Sequence, residues 1–362
     1  MASSAGTWGY RDRFGDAFGR TYFRRFGPGV VSSIGVGTYL GDPTDEVDDR
    51  YREALVAAFE HGINVADTAI NYRCQRSERV VGEALREADV DREEVVVATK
   101  GGFLPFDRER PADPAAYVRR EFVETGVVDP ADLARGSHCI EPGFLDAMLD
   151  RSLANLGVDS IDLYYVHNPE TQLRVRDREA VYDLLEAAFV RLEERRLAGD
   201  LGAYGVATWE AFRVPPDHDS YLSLPAVLER ARTAAEAVGA DDCGFEAVQL
   251  PFNVGMADAF RVAAHPTADG RVSALEFAHE EGLRVFTSAT LLQGDLASSI
   301  PAAVDAELSG DSPAQRAINF ARSAPAVTCS LVGTSRTEHL AENVAAGTFD
   351  PLGARAFDAV FE

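Results

Sequence analysis

The sequence predicts an α/β chain wound as a (β/α)8 TIM barrel with large loops at its C-terminal face. Eight short runs rich in β-branched residues alternate with segments whose apolar residues recur at helical spacing. No glycine-rich phosphate loop follows the first run, and no Pro/Gly/Ser-rich linker divides the 362 residues. Alternation over that length closes a parallel sheet on itself. Residues 1–362 therefore read as one domain.

In order, the runs are SSIGVGT, INVADTA, VVVATK, IDLYYVH, GAYGVAT, EAVQLPF, LRVFTSA and TCSLVGT. Between the first two, Val47, Tyr51, Leu55 and Phe59 share a helical face, and Gly62 stands where a helix is expected to end. Val80, Val81, Ala84 and Leu85 repeat the pattern before the third run, and Val181, Leu185, Phe189 and Leu192 before the fifth. An open doubly wound sheet would need GxGxxG after SSIGVGT, which is absent, and Lys100 lacks the following Ser or Thr of a P-loop. Two segments break the even repeat: a long insert, residues 103–141, after the third run, and a shorter stretch, Glu210 to Leu224, after the fifth. Both follow strand C-termini, so both are expected to overhang the barrel mouth and wall in a substrate.

Composition narrows the function. Aspartate and glutamate number 59 against 35 basic residues, a formal charge of -24. Such a chain lacks the basic patches that neutralise nucleic-acid phosphates or anionic lipid. An acidic surface of this kind suggests a halophilic protein, kept hydrated where cations abound and weakened by self-repulsion at low salt. There is no signal-peptide pattern and no apolar run long enough for a membrane helix. Cys74, Cys139, Cys243 and Cys329 show no paired spacing and read as free thiols in a cytoplasmic protein. The seven histidines form neither HxH nor HExxH, so no metal site is expected. His138 and Cys139 in GSHCIEP read as structural rather than as ligands.

Of the 35 basic residues, 34 are arginine and one is lysine, Lys100. It ends a strand, which puts its ammonium at the mouth, and a partly buried lysine tunes its own pKa and a neighbour's as arginine cannot. Adjacent strand ends supply Asp67, Tyr72 and His167. Asp67 can pair with Lys100, the ammonium is expected to lower the Tyr72 pKa toward neutrality, and His167 can orient a carbonyl oxygen. That set protonates an oxygen on which negative charge is building. A helix opening at Gly333-Thr334-Ser335-Arg336, with Ser335 and Glu338 at capping-box spacing, reads as a phosphate site.

DTAINY, VATKGG, LGVDSIDLYYVHNPE and LVGTSRTEHLAEN resemble the aldo-keto reductase superfamily, whose barrel binds a nicotinamide cofactor. The resemblance implies Asp67, Tyr72, Lys100 and His167 as a catalytic tetrad with Tyr72 as the acid. It implies NADPH, with NADH as the alternative, held through Ser335 and Arg336 at the 2′-phosphate, Glu342 and Asn343 at the adenine and Gln249 at the carboxamide. Further cofactor contacts are implied at Gly37, Thr38, Asp67, Asn168, Thr208, Ser288, Leu291, Gly333, Thr334 and His339. Ala207 and Thr208 stand where the family usually carries Ser-Asn, and Thr287 where it usually has an aromatic ring. Tyr39, Phe103 and Trp209 follow strand ends and are candidates for touching substrate. The expected activity interconverts a small carbonyl, sugar-like in one reading, and its alcohol. A Schiff-base aldolase built on Lys100 and a nicotinamide-binding regulatory module are the alternatives.

Overall fold

The computed structural model describes residues 1–361. Eight parallel strands close the barrel: β3 (Ile34–Gly37), β4 (Val65–Asp67), β5 (Val96–Gly101), β6 (Ile161–His167), β7 (Leu201–Ala207), β8 (Phe245–Pro251), β11 (Arg284–Ser288) and β12 (Val327–Gly333), with β12 pairing back to β3. All eight fall on the runs read from the sequence. Their hydrophobic residues are buried on both faces, which is why these runs read as near-continuous apolar stretches rather than as alternation. The lumen is filled by Val65, Val96, Ala98, Leu163, Tyr165, Phe286 and Leu331 among others. A larger cluster lies between strands and helices, where Tyr51, Leu55, Val81, Leu185 and Phe189 pack.

Two antiparallel hairpins were not legible as strands. The first, β1 (Phe23–Phe26) with β2 (Gly29–Ser32), turns at Gly27-Pro28 and lies under the N-terminal end of the barrel. Val31 enters the lumen cluster there, and Phe26 meets the Phe286 ring edge-on at 5.9 Å. Helix Ser4–Phe14 packs on β2, and the Asp162 carboxylate ties that floor together. It accepts from the Ala2 and Val97 amides at 2.5 and 2.8 Å and from Arg92 at 2.7 Å.

The second hairpin, β9 (His265–Thr267) with β10 (Gly270–Val272), props the shorter mouth segment. His265 is fully buried, with Nε2 2.9 Å from the Phe212 carbonyl and Nδ1 3.2 Å from the Leu224 amide. A carbonyl can only accept and an amide can only donate, so the ring is the neutral Nε2–H tautomer. The long insert likewise has its own anchors: Phe122 and Ile140 are fully buried, and Phe122 packs toward Phe144. Both segments follow strand C-termini, so their packed bodies stand over the mouth.

Burial holds the His265 imidazole at about 4, below its ordinary 6.5. Between those values the unfolded chain takes up a proton that the folded one refuses, so stability falls as pH drops through the window. His265→Gln should flatten the slope of unfolding free energy against pH there by about 1.4 kcal/mol per pH unit relative to wild type. Urea titrations from pH 6.5 to 4 measure it; parallel slopes would refute the assignment.

Candidate functional site

Barrel closure sets β4 beside β5 with Asp67 opposite Ala98, so Lys100 projects from the next turn of the pleat toward the same rim. Lys100 is fully buried, and its Nζ lies 2.6 Å from Asp67 Oδ1 and 2.8 Å from the Thr68 carbonyl. Asp67 Oδ2 accepts from Gln249 Nε2 at 2.7 Å. Burial raises the Asp67 pKa, although Lys100 and Gln249 oppose it. Burial works against the ammonium too, but Asp67 and Tyr72 carry the Lys100 pKa above its ordinary value. Lys100 is held protonated.

Tyr72 follows on the β4 loop, with Lys100 Nζ 4.8 Å from its ring centroid. The His167 ring centroid is 6.0 Å away, at the end of β6. Four groups from three consecutive strand ends therefore meet. One expectation needs correction: the Tyr72 pKa is raised, because desolvation outweighs the attraction of Lys100. The phenol keeps its proton well into alkaline solution. Burial, with Lys100 and His138 adding to it, pushes the His167 pKa well below its ordinary value, leaving a neutral imidazole.

A feature the sequence did not announce seats Tyr72. Arg73, Cys74 and Gln75 all take positive φ, at 46°, 58° and 67°, a run of left-handed conformations without a glycine. The Arg73 guanidinium is buried, lies 5.1 Å from the centroid of the Tyr51 ring, donates to the Asp42 carbonyl at 3.2 Å and pairs with Asp48. These contacts hold the strained turn against Tyr72.

The remaining candidates divide by position. Tyr39 is 59% exposed and meets Tyr72 edge-on at 5.0 Å, while Phe103 stands 5.0 Å from His167. Trp209 is 44% exposed at the rim, where its amide donates to the buried Glu170 carboxylate at 2.7 Å. Gly37 sits opposite Asp67, Thr38 donates to the Asp67 carbonyl, Asn168 takes a left-handed conformation after His167, and Ser288 ends β11. Leu291 packs half-buried on the core.

On the far side, Gly333 ends β12 and the helix Thr337–Ala346 begins with Arg336 as its N-cap. The expected capping box of Ser335 and Glu338 does not form, and no side chain caps this terminus. Its first amides are left for another acceptor. Arg336 and His339 are exposed beside it, and Ser335 is half-buried. Glu342 accepts from Ser312, and Asn343 is buried and donates to Thr334 Oγ1 at 2.7 Å.

Buried polar atoms without a partner gather at the mouth: Asn71 Oδ1, His167 Nδ1, Thr208 Oγ1, Thr287 Oγ1 and Thr290 Oγ1 among the described residues. Each such group costs about 1–3 kcal/mol when left unpaired, so the mouth is chemically suited to a polar guest with several donors and acceptors. A nicotinamide nucleotide matches that need, and the uncapped helix with Arg336 matches its phosphate.

Removing the ammonium leaves a buried carboxylate unpaired. Lys100→Met should cost about 3–5 kcal/mol of stability. Chemical denaturation checks this, and a loss below about 1 kcal/mol would mean that the Lys100–Asp67 pair contributes little to stability.

Residues 33–215 match the model of the Aldo/keto reductase family. A D-threo-aldose 1-dehydrogenase of Pseudomonas sp is 34% identical over 167 residues, 44% of each chain. A putative voltage-gated potassium channel subunit beta of Schizosaccharomyces pombe is 25% identical over 329 residues, covering 88% of this chain and 85% of that one. The matches to the aldose dehydrogenase and to an Alternaria alternata aldo-keto reductase span 44% and 48% of those relatives' lengths. Among solved structures, the glycerol dehydrogenase of Gluconobacter oxydans superposes with a TM-score of 0.65 at 18% identity, over 95% of both chains. An aldo/keto reductase of Klebsiella pneumoniae in complex with NADP and acetate gives 0.62 at 18%, over 94% of both. At that identity the likeness is one of fold, and it agrees with the barrel described above. With half of its length matched by the family model, and Asp67, Tyr72, Lys100 and His167 lying within that half, the chain belongs to the aldo/keto reductase family.

Proposed function

We propose that this protein is an NADPH-dependent oxidoreductase that interconverts a small aldehyde or ketone and the corresponding alcohol. The observation that carries the reading is the meeting of Tyr72 with the protonated Lys100–Asp67 pair and neutral His167 at the barrel mouth. Ser335, Arg336 and the uncapped helix amides hold the 2′-phosphate end of the nucleotide, and Gln249 with Thr208 holds the carboxamide end. When bound, the nicotinamide supplies or takes up the hydride.

The chain's own groups handle the proton. His167 donates a hydrogen bond to the carbonyl oxygen and orients it toward Tyr72. As negative charge builds on that oxygen, the Tyr72 hydroxyl transfers its proton and the Lys100 ammonium stabilises the phenolate left behind. Asp67 keeps the lysine charged and in place. Thr287 stands where the family usually has an aromatic ring, so a bound nicotinamide would find no stacking partner at this position. The polyhydroxylated substrate of the aldose dehydrogenase relative supports a sugar-like carbonyl, in keeping with the exposed aromatic rim of Tyr39 and Trp209. A Schiff-base aldolase fits less well, because its amine must be neutral and Lys100 is paired.

Assays belong in high KCl, given the acidic composition. Wild type should oxidise NADPH with a panel of aldehydes and ketones, and Tyr72→Phe should lose about 10²–10⁴-fold in rate while still quenching protein fluorescence on binding NADPH. Binding of NADPH without turnover of any carbonyl would favour a regulatory role. Because the Tyr72 pKa is raised, alcohol oxidation, which needs the phenolate, should climb with pH and still be rising at about 10, the ordinary phenol value. A plateau near neutrality would contradict that. Arg336→Ala should weaken NADPH binding about 10- to 100-fold and leave NADH nearly unchanged, since a charge-assisted contact contributes about 1.5–3 kcal/mol. Equal losses for both cofactors would move the phosphate elsewhere.

A further inference from the structure

The long insert does more than cover the mouth. Its two ends are zipped together at a neck: Leu104 N–H donates to the Ser137 carbonyl at 2.9 Å, Cys139 N–H donates to the Gly102 carbonyl at 2.8 Å, and Phe103 bridges His138. His138 stands at that neck, fully buried, with Nε2 2.8 Å from the main-chain carbonyl of His167. The β5–β6 ladder stops at Gly101 and Val166, one residue short of His167, so the bond from the insert takes up where the sheet leaves off. Its Nδ1 lies 3.0 Å from Gln172 Nε2, which also donates to the His138 carbonyl at 3.1 Å. Gln172 is oriented in turn by Arg176, whose guanidinium pairs with Asp132 and Glu141 in the C-terminal part of the insert, 2.8 Å each.

Chemistry fixes the proton in this chain of contacts. The His167 carbonyl can only accept, so His138 carries its hydrogen on Nε2, and the Gln172 amide then donates to the bare Nδ1. A cationic ring would turn an N–H against that amide. Phe103 fills the space between the two imidazoles, 4.8 Å from His138 and 5.0 Å from His167. Gly102 permits the approach: at φ 154°, a Cβ there would lie 2.6 Å from the His167 carbonyl oxygen and 3.3 Å from His138 Nε2.

We propose that His138 is a positioning residue, which with Gln172 and Phe103 locks the end of β6 to the insert neck and so fixes the His167 imidazole that faces the carbonyl substrate. The insert is then a fixed wall of the active site and not a swinging lid. This rests on the reading of His167 as the orienting group in carbonyl reduction. His138 and Gln172 lie outside the proposed nucleotide and substrate contacts and act through His167, whereas Phe103 fills the space between the two imidazoles.

The test compares His138→Gln, whose amide still donates to the carbonyl, with His138→Phe, which fills the space and donates nothing. With nitrogen-labelled histidine, the His167 ring resonances of the cofactor-free protein should shift or double in His138→Phe and stay near wild type in His138→Gln. In turnover, His138→Phe should lose about 10- to 100-fold in kcat on every carbonyl while the Kd for NADPH holds, and His138→Gln should recover most of the loss. If His138→Phe fails to fold, Gln172→Met removes the partner one step away, and the His167 resonances should broaden. Unchanged His167 signals in either donor-deleting variant overturn the proposal whether or not the protein proves to be a reductase. Absence of turnover in wild type, with the signals shifting as expected, overturns the proposed activity alone.

Discussion

The buried ion pair of Lys100 and Asp67 is the constraint around which the rest of the mouth is arranged. Two charges taken out of water repay the cost of desolvation only when their geometry is close and their other valences are met. Both conditions hold: the Thr68 carbonyl takes a second ammonium hydrogen, and Gln249 reaches across the lumen from β8 to the second carboxylate oxygen. That crossing ties opposite sides of the barrel together at the depth where proton transfer is proposed. It also explains why arginine did not replace this one lysine. A planar fork would overfill a site built for a compact ammonium beneath a phenol ring.

Outside the barrel the preference reverses. Arg195 bridges Asp146, Asp150 and Asp200, and Arg230 reaches Glu179, Asp183 and Glu186. Each guanidinium engages three carboxylates, which suits five fixed donors better than a point charge. On a chain of net charge -24 these bridges relieve repulsion between helices as well as adding modest attraction. The same residue choice that isolates Lys100 in the sequence thus has a separate origin on the surface.

Two kinds of loop serve the mouth. The turn after Tyr72 stores left-handed strain held by Arg73, whereas the insert and the shorter segment are packed bodies bolted down by neutral histidines, His138 and His265. In both bolts a buried imidazole satisfies a carbonyl with one nitrogen and accepts from an amide with the other. A side chain that donates and accepts in fixed directions, without charge, suits a loop that must leave the sheet and still satisfy its backbone.

How much of this was legible follows from the range of each interaction. The eight barrel strands, the helical faces of Tyr51 and Val81, and the presence of Asp67, Tyr72, Lys100 and His167 at strand ends are written locally. Side-chain periodicity and strand termini depend on neighbours in the chain. The hairpin at Phe26 and Gly29 was missed because its strands are four residues each and one is wholly buried, leaving no alternation to read. The capping box at Ser335 was expected from spacing alone, but the helix starts one residue later, with Arg336 in the N-cap position. The sequence by itself determined the barrel and the identity of the groups that meet at its mouth. Only the tertiary structure decided their protonation and their supports: the raised Tyr72 pKa, the Gln249 crossing to Asp67 and the His138 contact with His167. Desolvation and long-range hydrogen bonds depend on what else is brought near, and spacing along a chain does not encode that.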